Sequence, residues 1–354
     1  MDTTLDRDLE KATADHISGK SETKEAKMHQ NIYELIEEEI LESDLSLDEK
    51  NKKLSRLAKI KYVPLNIMLV GGTGAGKSST INALFNMDVA KVGVGADPET
   101  EKIESFQLDN ITIWDTPGLG DTPENDEKAV KAIQAKLSEL DKNGDPVIDL
   151  ALVVLDSSQK DLSTVYDCIN NVIVPAMGDD AKKRILICMN QADMAMKGKH
   201  WISELNRPDE TLIAYLDKKA IEVRRRISET TGINFKPVYY CAGYKEENGD
   251  QLMPYNLSKL LYTIIATVPK EKRLAFADVL NPDKEMWEAD DMKEDYKKKI
   301  KQSFWDVVGD HLSAGADKGM EIGVWVLGAP GGVIGAVTGG AVGAIGGFFA
   351  AIFS

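Results

Sequence analysis

The chain has 354 residues, 58 acidic and 43 basic side chains, and a formal net charge of −15 at pH 7. That length allows a full hydrophobic core and about two domains. The acidic balance excludes a broad nucleic-acid binder, which needs a basic stripe to neutralise phosphates, so DNA is not an expected partner. Three scattered cysteines, Cys168, Cys188 and Cys241, sit in apolar or strand-like runs and exclude a disulfide framework. No CxxC pair or histidine cluster points to structural zinc, and the polar N-terminus lacks the apolar stretch of a secretory signal, so a cytoplasmic protein is expected.

Residues 1–25 are polar, acidic and rich in Ser and Thr, the composition of a mobile tail. Two helices are expected over 26–60. Ile32, Leu35, Ile36, Ile40 and Leu41 repeat with helical spacing, and Ser46 with Glu49 forms a capping box for a second helix through Ala58. This pair either packs on the next domain or forms a dimerisation arm.

The run Leu65–Val70 reads as a strand, and Gly71-Gly72-Thr73-Gly74-Ala75-Gly76-Lys77-Ser78 follows it with the pattern G-x-x-x-x-G-K-[ST]. A helix through Ser79–Phe85 is expected next. Strand, glycine-rich turn and helix is the setting in which backbone N–H groups and a helix N-terminus cradle a phosphate. Gly72, Thr73, Gly74, Ala75, Gly76 and Ser79 are expected to line the cradle. Lys77 would reach the outer phosphates and Ser78 would ligate Mg2+.

Two later motifs extend the pattern. Asp115-Thr116-Pro117-Gly118 closes the strand-like run Ile111–Trp114, so Asp115 is placed to hold a metal through water and the Gly118 N–H to meet a terminal phosphate. Asn190-Gln191-Ala192-Asp193 follows the apolar run Arg184–Met189. These three motifs, in this order, resemble the translation-factor-related GTPases. The resemblance implies a P-loop fold that binds GTP or GDP with Mg2+. It also implies that Asp193 accepts hydrogen bonds from guanine while Asn190 braces the loop. Gln191 departs from the family's usual lysine but retains the length to lie over the base. Cys241-Ala242-Gly243, after Pro237–Tyr240, resembles the loop whose backbone meets the guanine carbonyl, which makes Ala242 and Gly243 base contacts. An ordinary small-residue turn is the alternative there. The family also needs a switch threonine, and Thr100 occupies the expected place, before a strand near Lys102–Gln107. By this resemblance Lys77, Thr100 and Gly118 serve hydrolysis, and Ser78, Thr100 and Asp115 serve the metal.

Leu119 follows Asp115–Gly118 where Ras-like proteins carry a water-orienting Gln, and a leucine cannot orient water. The chain is therefore similar to the branch with an apolar residue there: bacterial Era-like GTPases of the ribosome-binding type, septins, dynamin relatives and immunity-associated GTPases. Its phosphate loop is most like the septin and immunity-associated side. Slow hydrolysis is expected, completed by G-domain dimerisation or a partner. Gly74 replaces the Asn that serves potassium in some members.

A doubly wound, mostly parallel α/β sheet is expected over 61–268, with Asp149–Asp156 as a central strand and helices at Thr211–Thr230 and Asn256–Thr267. Residues 269–318 read as helical. Residues 319–354 change character: Ile322–Phe353 carries no charge, and Gly331, Gly335, Gly339, Gly343 and Gly347 recur every fourth position. A bilayer span needs about 20 apolar residues, and a stripe of small residues permits close helix packing. A kinked membrane helix, a re-entrant hairpin and a buried soluble hairpin remain open. The functional readings are a nucleotide switch that is membrane-associated or self-assembling, a GTP-triggered membrane effector and, last, a ribosome-assembly factor.

Overall fold

The computed structural model describes residues 31–85, 103–245, 251–312 and Phe353. Thr100, the tail 1–25 and the glycine stripe lie outside these residues. The chain divides into two compact units, one comprising residues 1–58 and 308–351 and the other residues 59–307 and 352–354.

The first unit includes α1 (Ile32–Glu42) and most of α2 (Leu47–Lys61). Both begin on reciprocal caps. The Asn31 side chain accepts from Glu34 N at 3.0 Å while the Asn31 N–H donates back to the Glu34 carboxylate. Ser46 N donates to Glu49 at 3.0 Å and Glu49 N donates to Ser46 Oγ. Each exchange satisfies donors that a helix start leaves open.

The second unit is built on a six-stranded sheet. β1 (Leu65–Gly71), β3 (Ile111–Asp115), β4 (Leu150–Asp156), β5 (Ile185–Asn190) and β6 (Val238–Tyr239) run parallel, and β2 (Glu104–Leu108) is antiparallel at the edge. The order is β2-β3-β1-β4-β5-β6, the mostly parallel α/β sheet the sequence predicts. All seven residues of β4 are buried, as a strand covered on both faces requires. One face carries α3 (Lys77–Phe85) and α7 (Leu257–Thr267), whose Ile81, Leu84 and Ile264 meet Ile67, Leu69 and Leu152. The other carries α4 (Pro123–Leu137), α5 (residues 163–177, with a π-helical stretch at Ile169–Ile173) and α6 (Glu210–Thr231). Their Ile133, Ile169 and Leu216 join Val70, Val153 and Ile187 in one core. β1 and β4 approach so closely that a Cβ on Gly71 would run into the Val154 carbonyl oxygen.

The segment after α7 closes over the end of α3. Phe276 stacks on Phe85 with centroids 6.4 Å apart. Asn281 donates through its side chain to Ala83 O (3.1 Å) and through its backbone to Leu84 O (2.8 Å), satisfying carbonyls that the helix end leaves open. Trp287 donates to Asn281 O at 3.0 Å, and Phe353 packs edge-on against it. α8 (Tyr296–Leu312) follows, with Lys297 and Lys299 paired to Glu288 and Glu294. Among the described residues no helix is long and apolar enough to cross a membrane.

Candidate nucleotide site

Parallel strands place the predicted residues at one edge, because every βα connection leaves the carboxyl end of its strand. β1 leads into the loop Gly72–Gly76, which turns back on itself with Ala75 N donating to Gly72 O at 3.1 Å. α3 begins at Lys77, so the N–H groups of Lys77, Ser78 and Ser79 have no acceptor within the helix and are available to an anion. Gly76 has φ +84°, and a Cβ there would overlap Asn190 Nδ2, so both conformation and space require glycine.

Lys77 is buried, and its Nζ lies 3.5 Å from both Gly71 O and Gly72 O. Burial pushes the Lys77 ammonium down and the neighbouring Asp115 carboxylate opposes that. Burial likewise pushes Asp115 up, against Lys77 and a hydrogen bond from Ser78. Ser78 Oγ donates to Asp115 Oδ2 at 3.0 Å, while the buried Asp115 Oδ1 makes no hydrogen bond. One hydroxyl and one carboxylate with a spare oxygen thus converge beside an ammonium. Hard oxygen donors of this kind fit Mg2+, which is bound through one or two protein oxygens plus phosphate and water.

Thr116 Oγ1 fixes the next turn by donating to Leu69 O at 2.7 Å. Gly118 lies so near the cradle that a Cβ would come 2.6 Å from Thr73 Cα. Leu119 then pairs with the cradle, its N–H donating to Gly71 O (3.1 Å) and its carbonyl accepting from Thr73 N (2.8 Å). Its side chain is buried in the core that includes Leu162 and Val165. Asp121 and Asn125 pair with each other at 2.8 Å beside the α4 cap.

The third loop is bound to the first by side chains. Asn190, 2% exposed, donates to Ala75 O at 3.0 Å and accepts from Ala242 N at 2.9 Å. Gln191, at φ +58°, donates to Gly74 O at 2.6 Å. Asp193 stands in the 3-10 turn Ala192–Met194, and its Oδ1 is buried without a hydrogen bond. Ala242 and Gly243 follow β6 beside it. Every predicted site residue outside Thr100 therefore belongs to one of three loops in contact: 71–79, 115–118 and 190–193 with 242–243. Thr80 and Tyr240, which sequence reasoning did not single out, join them: Thr80 Oγ1 lies 2.6 Å from the Tyr240 hydroxyl, with both residues buried. Hydroxyl-bearing side chains in a mostly buried helix and at the end of a buried strand were the available signal.

Residues 66–191, which contain the first two motifs and end at Gln191 inside the third, match the family described as 50S ribosome-binding GTPase. The matched residues lie within the second unit. T-cell-specific guanine nucleotide triphosphate-binding protein 2 of Mus musculus is 40% identical over 93 residues, 25% of this chain and 21% of that protein. The tRNA modification GTPase MnmE of Xanthomonas euvesicatoria pv. vesicatoria (strain 85-10) is 35% identical over 133 residues, 37% of this chain and 26% of that protein. The matched part of the chain thus spans about a fifth to a quarter of these relatives. Toc33 from Arabidopsis thaliana, in its complex with GDP and Mg2+, is 18% identical over 64% of this chain and 89% of that one, with a TM-score of 0.39.

Proposed function

We propose that the G domain binds GTP with Mg2+, hydrolyses it slowly to GDP and phosphate, and acts as a nucleotide-controlled switch. One observation carries the reading: Asn190 joins the phosphate loop to both loops that would flank a guanine, through Ala75 O and Ala242 N. Triphosphate lies along the amides at the start of α3, where helix dipole and Lys77 compensate its charge. Its arrival also compensates the ammonium that burial otherwise destabilises. Ser78 and Asp115 hold Mg2+, which when bound neutralises charge on the outer phosphates. The Asp193 carboxylate accepts from the guanine N–H groups, which adenine lacks, and Gln191 lies along the base.

Hydrolysis is attack of water on the γ-phosphorus with departure of the β-phosphate oxygen. The chain supplies positioning and charge rather than a base, because Leu119 is apolar and turned into the core. A slow rate that rises on addition of a partner or a second copy follows from that. The Gly118 amide and Thr100 are the groups set to sense the γ-phosphate.

Titration calorimetry with GTP and ATP tests the reading. Wild type should prefer GTP by at least about 100-fold, and Asp193→Asn should lose that preference while gaining affinity for xanthosine triphosphate. Equal affinity of wild type for GTP and ATP refutes the guanine assignment. The uncharged stretch Ile322–Phe353 favours an added membrane tether. Liposome flotation of the full chain against a chain ending at Lys318 tests it: equal behaviour with GTP removes the tether.

A further inference from the structure

We infer that Tyr240 and Thr80 are positioning residues that hold the base-contact loops in register with the phosphate loop, so that the two ends of one nucleotide are bound as a unit. The inference rests on the proposed placement of base and phosphates at these loops.

Tyr240 touches all three segments. Its N–H donates to Met189 O at 2.9 Å, just before Asn190, and its carbonyl accepts from Ala192 N at 3.1 Å, within the Asn190–Asp193 loop. It directly precedes Cys241–Gly243. Its hydroxyl crosses to Thr80, in the first turn of α3.

The direction of the hydrogen bonds follows from counting hydrogens. Thr80 Oγ1 lies 2.7 Å from Gly76 O, to which it donates, and the threonine hydroxyl has one hydrogen. The Tyr240 hydroxyl is therefore the donor to Thr80 Oγ1. This leaves a one-way relay from Tyr240 O–H to Thr80 O–H to the Gly76 carbonyl. Burial first, then the Cys188 thiol, pushes the phenol well above its ordinary range, so it keeps its proton at physiological pH. Tyr240 is 0% and Thr80 1% exposed, so water does not compete, and linked hydrogen bonds in such surroundings strengthen one another.

The relay ends on Gly76, the residue that also faces Asn190 Nδ2. Asn190 grips the loop at Ala75 from one side and the relay grips Gly76 from the helix side. Two ties at adjacent residues fix position and angle, where one tie leaves a hinge. A ligand that spans both loops gains from this fixed spacing, as any bivalent ligand does. A fragment that touches one loop gains nothing.

Calorimetry with whole and divided ligands reads that difference. Wild type, Tyr240→Phe, Thr80→Val and Thr80→Ser are each titrated with GTP and Mg2+, with inorganic tripolyphosphate and Mg2+, and with guanosine. Tyr240→Phe and Thr80→Val should weaken GTP about tenfold, the scale of one hydrogen bond, and leave both fragments within about twofold of wild type. Thr80→Ser, which keeps the hydroxyl, should bind GTP like wild type. Unchanged GTP affinity in Tyr240→Phe overturns the inference. So does a parallel loss of tripolyphosphate, which would mean a damaged cradle rather than a lost register. If Tyr240→Phe does not fold, the contrast between Thr80→Val and Thr80→Ser decides the question in the same way. Wild type binding ATP as tightly as GTP would defeat the guanine reading alone, because the comparison of whole and divided ligand can be run with ATP.

Discussion

Loops 190–193 and 242–243 are tied to the phosphate loop by side chains, whereas loop 115–118 meets it through a strand-like backbone pair made by Leu119. Asn190 and Gln191 each reach one named carbonyl, through an amide that a different side chain would not place there. The Leu119 pair uses groups that every residue carries, so it does not depend on which side chain stands there. Side-chain ties suit a surface that recognises one shape. Backbone ties suit a segment that takes two arrangements, as a γ-phosphate sensor must.

Substitutions at the two ends test that contrast. The largest effect is expected at Gly76→Ala, where a methyl group must displace Asn190 and the backbone must leave φ +84°. Nucleotide binding should fall by more than about 100-fold in calorimetry; binding within a few fold of wild type would show that the recognition end is pliable. Leu119→Ala empties a buried site and should cost ~3 kcal/mol in urea unfolding, while GTP affinity at saturating Mg2+ stays near wild type because the pairing backbone is retained. Asn190→Ala removes two buried hydrogen bonds, for ~2 kcal/mol of stability and about a 30-fold loss of GTP affinity. If Leu119→Ala instead lost more affinity than Asn190→Ala, the assignment of recognition and sensing to the two ends would be reversed.

The smallest effect concerns the support behind β6. Asp291 accepts from Lys259 at 2.6 Å, and its N–H donates to Asn256, whose side chain donates to Tyr239 O. Burial raises the Asp291 carboxyl, but the Lys259 hydrogen bond and charge outweigh it and hold the group below its ordinary value. A lowered carboxyl stabilises the fold above its unfolded-state value, and that contribution disappears as pH falls through the folded value. Asp291→Asn should therefore cost about 1 kcal/mol at pH 7. The gap from wild type should close on acidification below about pH 4, in urea midpoints measured across that range. A gap that persists in acid would make the support steric rather than electrostatic.

Much of this arrangement can be read from the chain because its strongest signals are local. The apolar run at 150–156 marks a strand buried on both faces, and Ser46 with Glu49 marks a helix start. The three loops carry motifs whose spacing needs no partner to be recognised. Other features depend on pairings that sequence distance hides. Thr80 and Tyr240 stand 160 positions apart, and each alone is an ordinary core residue. Asn281, which closes the far end of α3, belongs to a turn with no motif of its own. β2 reverses direction beside β3, and its half-exposed pattern resembles any edge strand. The π-helical turn at Ile169–Ile173 inserts into a run whose spacing fits an ordinary helix.

Gly71, the first glycine of the phosphate loop, is required by the neighbouring strand rather than by any ligand, because its missing Cβ would collide with Val154 O. Gly74 has nothing within 4 Å of a Cβ there, though its φ of +73° favours glycine. A descendant of this protein that had abandoned nucleotide would be free to lose Lys77, yet the sheet would still hold position 71 to glycine. In lineages of this fold, Lys77 would therefore record whether the proposed activity survives, and Gly71 would record only that the sheet does.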